Sequence, residues 1–98
     1  MRYLVLLGLL AFSLNAAQAT GVYSCKQVDK SEWMTSDQLA EKLKGEGWEV
    51  RFMKEDGGCW EVYGTNPEGK RVEAYFHPKT GEPRYISQRG TVLFKAID

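Results

Sequence analysis

Trp48-Glu49-Val50-Arg51-Phe52-Met53 and Cys59-Trp60-Glu61-Val62-Tyr63 are two runs in which large apolar side chains alternate with charged or polar ones, separated by Lys54-Glu55-Asp56-Gly57-Gly58. A period of two marks a strand with one dry face and one wet face. The alternation returns downstream, with Val72, Ala74 and Phe76 set against Arg71, Glu73, Tyr75 and His77. Trp48, Val50, Phe52, Trp60, Val62, Val72, Ala74 and Phe76 all carry even numbers. Residues opposed across a hairpin share a face, so the numbers of each pair must add to an even total. On that rule the first hairpin closes Lys54 on Gly58 around Glu55-Asp56-Gly57, with Gly57 at the left-handed position. This register sets Phe52 opposite Trp60, Val50 opposite Val62 and Arg51 opposite Glu61. The second turn, at Asn66-Pro67-Glu68-Gly69, needs a bulge or a five-residue loop to keep the parity, and is expected to pair Val62 with Val72.

Upstream of the strands lies a helix signal. Thr35 is a suitable N-cap, Gln38 completes a capping box, and Met34 and Leu39 stand where a hydrophobic staple would close. Leu39, Ala40 and Leu43 form a narrow apolar stripe against Asp37, Glu41, Lys42 and Lys44, and Gly45 or Gly47 ends the run. So short a helix does not hold alone in water, which places it on the sheet. Downstream, the turn His77-Pro78-Lys79-Thr80-Gly81 leads to a strand over Glu82 to Gln88, where Pro83 favours an edge position. An even register of that strand buries Ile86 and an odd one buries Tyr85. The tail Val92 to Ile97 is too apolar for a solvated end, and reads either as an extra strand or as a segment packing on the sheet's free face. The fold class is α+β, one N-terminal helix packed on an antiparallel sheet of three to four strands.

Residues 1–19 read as an export signal. Arg2 supplies the positive start, Tyr3 to Leu14 the apolar stretch, and Ala17-Gln18-Ala19 a small-x-small cleavage site. The apolar stretch is shorter than the roughly 20 residues a membrane span needs, so cleavage before Thr20 is expected rather than anchoring. Residues 20–33 form an irregular lead-in, and 34–98 the domain with its apolar tail. Cleavage removes one base from 13 bases and 13 acids, giving 12 − 13 = −1 with both signs dispersed. Nucleic acid and anionic lipid are therefore poor candidates as partners. Cys25 and Cys59, the only cysteines, are expected to form a disulfide in an oxidising compartment. A redox or metal pair is the rival reading, but the sequence has no C-x-x-C, and His77 is its single histidine.

Helix, Gly-Trp at the helix exit, hairpin, and a strand running into Pro-x-Thr-Gly-Glu together resemble the PepSY domain family, most closely its short single-domain exported bacterial members. The likeness is carried by Thr35 to Leu43, Gly47-Trp48-Glu49-Val50, Cys59-Trp60-Glu61-Val62-Tyr63, Gly69-Lys70-Arg71-Val72-Glu73 and Pro78-Lys79-Thr80-Gly81-Glu82. The resemblance implies a helix on an antiparallel sheet, no catalytic residues and no cofactor, a periplasmic or secreted location, and a protein partner such as a peptidase that the domain restrains.

The candidate binding face is the side opposite the helix, where Arg51, Glu61, Tyr63, Arg71, Glu73 and Tyr75 would gather. The competing reading is a solvated sheet face laced by cross-strand ion pairs. Glu61 opposite Glu73 is unfavourable unless Arg51 and Arg71 flank the pair. A catalytic dyad there is not expected, because a wet face shifts carboxylate pKa values too little. His77 reads as a turn residue rather than a metal ligand. Trp48 and Trp60 read as core and Trp33 as partly exposed, in place of a sugar or haem platform. The functional expectation is a non-enzymatic binding module, monomeric or a small homo-oligomer. A structural protein that self-associates through Val92 to Ile97 is the alternative, and a thiol redox protein is a more remote one.

Overall fold

A computed structural model describes residues 21–97; the expected export segment lies outside the described residues. Among the described residues a short 3-10 turn (Lys30–Glu32) and one α-helix, α1 (Ser36–Gly45), precede the strands β1 (Glu49–Asp56), β2 (Cys59–Thr65), β3 (Arg71–Phe76), β4 (Pro83–Gln88) and β5 (Thr91–Lys95). The strands form a single antiparallel meander in chain order. The α+β architecture stands as expected, but the sheet has five strands rather than three or four, because the apolar tail pairs with β4 as β5.

The helix begins where the capping box lies. Thr35 Oγ1 accepts a 3.1 Å hydrogen bond from the Gln38 amide, and Gln38 Oε1 accepts a 2.8 Å bond from the Thr35 amide. Gly47 takes a φ of +98° just past the helix, and the Trp48 amide then donates to the Leu43 carbonyl. Leu39 and Leu43 are completely buried and form one core with Val62, Ala74 and Phe76. Burial of each leucine contributes roughly 1.5–3 kcal/mol, which holds a helix too short to persist alone. Met34, Trp48, Val50, Met53, Trp60 and Ile86 pack around this core, and Trp60 Nε1 donates to the Met34 carbonyl at 3.0 Å.

The first hairpin departs from the even-number rule. Gly57 and Gly58 both take positive φ, +59° and +81°, and make a two-residue turn that closes Asp56 on Cys59. Glu55 then faces Trp60, Lys54 faces Glu61, Met53 faces Val62 and Phe52 faces Tyr63. A bulge at Arg51 restores parity, so that Val50 returns to the helix side opposite Gly64. The expected pairs Phe52 with Trp60, Val50 with Val62 and Arg51 with Glu61 are therefore not formed. Met53 enters the core in place of Phe52, which is 55% exposed on the other face. A Cβ on Gly64 would collide with the Glu49 carbonyl, so the bulged β1 needs a glycine opposite it.

The second hairpin keeps the expected parity with a five-residue loop closed by Thr65 and Arg71, yet Val62 faces Ala74 rather than Val72. Asn66 organises the loop, its Oδ1 accepting from the Glu68 and Lys70 amides. β4 lies between β3 and β5 rather than at an edge, and Pro83 is tolerated as its first residue. Ile86 takes the core side and Tyr85 the opposite one, facing Tyr75.

Candidate functional site

The sheet face away from α1 has two unlike halves, and the lead-in creates the difference. Cys25 is bonded to Cys59, with their Cα atoms 5.4 Å apart, and the Cys25 amide donates to the Gly57 carbonyl at 2.8 Å. A Cβ on Gly57 would run into the Tyr23 carbonyl, so glycine at the β1–β2 turn is what lets the lead-in cross there. Upstream of the disulfide, Tyr23 stacks on Tyr85 at 5.3 Å and tilts against Tyr75 at 5.9 Å. Downstream, the chain passes to the helix side, where the partly exposed Trp33 meets Trp60 edge-on.

Beneath this cover the face is dry. Tyr75 is 1% exposed and its hydroxyl donates a 2.8 Å hydrogen bond to Asp56 Oδ2, which also accepts from the Gly21 amide. Burial, then the hydrogen bond to Asp56, push the Tyr75 hydroxyl well above the ordinary phenol range. Glu61 is 2% exposed, and its Oε1 makes no hydrogen bond, with Lys54 Nζ 3.9 Å away. Desolvation raises the Glu61 pKa; the Tyr63 hydroxyl and Lys54 pull it back, while Asp56 and Glu73 add to the rise. Glu61 faces Tyr75 and Glu73 faces Tyr63, so the two carboxylates are diagonal neighbours rather than an opposed pair. For Glu61 and Tyr75 the expectation of an open wet face is corrected, since both are almost fully buried, Tyr75 against Tyr23 of the lead-in.

The other half is open. Arg51 from the β1 bulge, Tyr63, Arg71 and Glu73 line a groove of about 710 Å³, together with Phe52, Lys70, Gln88 and Arg89. Four of the six expected face residues thus meet in this groove; Glu61 and Tyr75 are not among its lining residues, although Glu61 interacts with Tyr63. The Phe52 and Tyr63 rings are 5.7 Å apart. Burial, then the nearby Glu61 carboxylate, push the Tyr63 hydroxyl up to about 12. Arg89 and Gly90 form the two-residue β4–β5 turn with φ of +49° and +84°. Arg89 is the one non-glycine residue with positive φ among the described residues. A left-handed conformation costs a residue with a Cβ roughly 1–2 kcal/mol, and asparagine or glycine would fit this turn better.

Phe52, Lys70, Gln88 and Arg89 are additions to the face read from sequence. The Arg89-Gly90 step was the available signal for one of them, and the Gly57-Gly58 step for the register that brings out Phe52. His77 is a turn residue, as expected, its Nδ1 accepting from the Lys79 and Thr80 amides. Among the described residues no group of three or more His, Cys, Asp or Glu side chains is gathered as a metal would need. Residues 3–84 match the model of the family described as peptidase propeptide and YPEB domain. No curated protein and no solved structure matches the chain significantly.

Proposed function

The chain belongs to the PepSY family, the peptidase propeptide and YPEB domains, and from that premise we propose that it is an exported, non-enzymatic module that binds and modulates a peptidase or another envelope protein. The observation that carries this reading is the groove at the open end of the far face, where Arg51, Tyr63, Arg71 and Glu73 stand together on one face of the sheet. Arginine and tyrosine are the residue types that dominate recognition surfaces, through contact area and reach for hydrogen bonds. The buried Tyr75 seats Tyr23 of the lead-in rather than meeting a partner. Placement in a periplasm or outside the cell is supported by the family's association with peptidase propeptides, by the Cys25–Cys59 disulfide and by residues 1–19 read as a cleaved signal. No helix among the described residues is long and apolar enough to cross a membrane.

The test uses the purified mature chain with the secreted peptidases of the source organism and a protein substrate. Addition of the chain should change the rate of one peptidase, with a complex of the two on size exclusion. Tyr63→Ala combined with Arg51→Ala should abolish both effects without unfolding the chain. A wild-type chain that neither alters any secreted peptidase nor forms a complex with one overturns the reading.

A second reading rests on β5. This strand is a free edge of the sheet, and Val92, Leu93 and Phe94 are 49%, 41% and 42% exposed along it. Antiparallel pairing with β5 of a second copy, centred on Leu93, would oppose Thr91 and Lys95 and bring no like charges together. Sedimentation at micromolar concentration separates the readings. A monomer leaves the binding module alone, whereas a dimer dissolved by Leu93→Lys favours self-association.

A further inference from the structure

We infer that the far-face groove takes an acidic polypeptide segment, a run of Asp and Glu side chains with an aromatic residue among them; this rests on the binding-module reading and names the chemistry of its partner. Four cations line the groove from three separate places: Arg51 from the β1 bulge, Lys70 and Arg71 from the junction of the β2–β3 loop with β3, and Arg89 from the β4–β5 turn. Glu73 is the one acidic side chain among the residues lining it. The chain as a whole is formally neutral, so this concentration of charge is local. Arg51, Arg71 and Arg89 are exposed and take part in none of the ion pairs among the described residues, and Lys70 has only the exposed Glu68 at 3.9 Å.

Arg89 adds an independent argument. A turn with positive φ at both central positions selects Asn-Gly or Gly-Gly, and arginine there is held in a conformation its Cβ opposes. Strain of this kind points to a use for the side chain that stability does not provide. Arg89 lines the groove, where bidentate recognition of a carboxylate is what arginine does better than lysine. Phe52 and Tyr63 offer neighbouring rings on which an aromatic side chain can pack. Glu73 provides an acceptor for a polypeptide backbone N–H, while the Gln88 side-chain amide already donates to the Arg71 carbonyl at 3.3 Å. A groove fits an extended chain better than it fits a flat lipid surface.

The probe is a fluorescein-labelled Glu-rich peptide carrying tyrosines, titrated against the mature chain and followed by anisotropy. A glutamine version of the peptide and vesicles of phosphatidylglycerol serve as controls. The acidic peptide should bind and weaken as salt rises from about 50 to 200 mM, as charge recognition requires. The glutamine peptide and the vesicles should not bind. Arg89→Asn is the decisive variant, because it relieves the turn while removing the charge. It should weaken the acidic peptide about tenfold and raise the melting temperature. Unchanged affinity in Arg89→Asn, equal binding of the glutamine peptide, or binding of vesicles without binding of the peptide would each overturn the inference. Failure here is distinguishable from failure of the parent reading. A peptidase still modulated by Arg89→Asn but released by Tyr63→Ala leaves the module standing without the acidic-segment chemistry. An acidic peptide that binds while no peptidase responds does the reverse.

Discussion

Glu61 faces Lys54 across the first hairpin, its Oε1 3.9 Å from the ammonium and without a hydrogen bond, on a side chain that is 3% exposed. The lysine is 36% exposed and too distant to donate, so it compensates the desolvated charge weakly. The folded chain holds the Glu61 pKa above the ordinary 4.5, chiefly by desolvation. The unfolded chain lacks that burial, so this group favours folding most when both states are protonated, below 4.5, and the contribution falls as pH rises through the folded value. Glu61→Gln should therefore be more stable than wild type near neutral pH, by about 1 kcal/mol, the order expected when an unsatisfied buried charge is removed. The advantage should shrink as the pH falls. Urea denaturation of both proteins across that range checks it, and a variant less stable at neutral pH contradicts it.

The disulfide is a large share of what stabilises so small a domain. Cys25 and Cys59 are 34 residues apart in sequence, and the chain-entropy model gives about 3–4 kcal/mol for a loop of that size. The double variant Cys25→Ser, Cys59→Ser should lose about that much in urea denaturation. It should also release Tyr23 from Tyr75 and Tyr85, since the bond anchors the lead-in that carries it. Near-ultraviolet circular dichroism follows the tyrosines, and an unchanged spectrum in the variant would show the lead-in to be held by other contacts.

Local chemistry was the legible part of this sequence. The capping box at Thr35 and Gln38, the glycine exit at Gly47, the core membership of Trp48, Trp60, Val62 and Phe76, and the cysteine pair all follow from residues close in sequence or from simple parity. Register across the first hairpin was not legible by parity alone, because two deviations compensate. A two-residue turn at Gly57-Gly58 makes the pair totals odd, and the Arg51 bulge makes them even again. The candidate face was legible as a set of odd-numbered residues, but its division was not. That depends on Tyr23, a residue of an irregular segment with no periodicity to place it.

Gly64 and Gly45 are predicted to respond to alanine in opposite directions. The bulged β1 lies directly on Gly64, where an added Cβ meets the backbone of Glu49 and Val50. Backbone yields less readily than a flexible side chain, so Gly64→Ala should cost about 1–3 kcal/mol, in the range of core overpacking. At Gly45, in the last turn of α1, an added Cβ meets nothing and φ is not positive. Gly45→Ala should stabilise by about 0.4–1 kcal/mol, through helix propensity and a less flexible unfolded chain. Melting temperatures of the two variants against wild type decide it, and a tolerated Gly64→Ala would mean that β1 does not press on β2 as described.

The most direct check on the register is a pair of adjacent truncations. Even-number parity would bury Phe52 and expose Met53, whereas the compensated hairpin packs Met53 against the core and leaves Phe52 55% exposed beside Tyr63. Met53→Ala should then cost about 1–2 kcal/mol, less than a fully buried methionine because the side chain is only partly covered. Phe52→Ala should cost less than about 0.5 kcal/mol, as surface truncations usually do, even though it removes the larger side chain. Chemical denaturation of the two variants measures both. The reverse order, with Phe52→Ala the more damaging, would restore the three-residue turn and move Phe52 out of the groove.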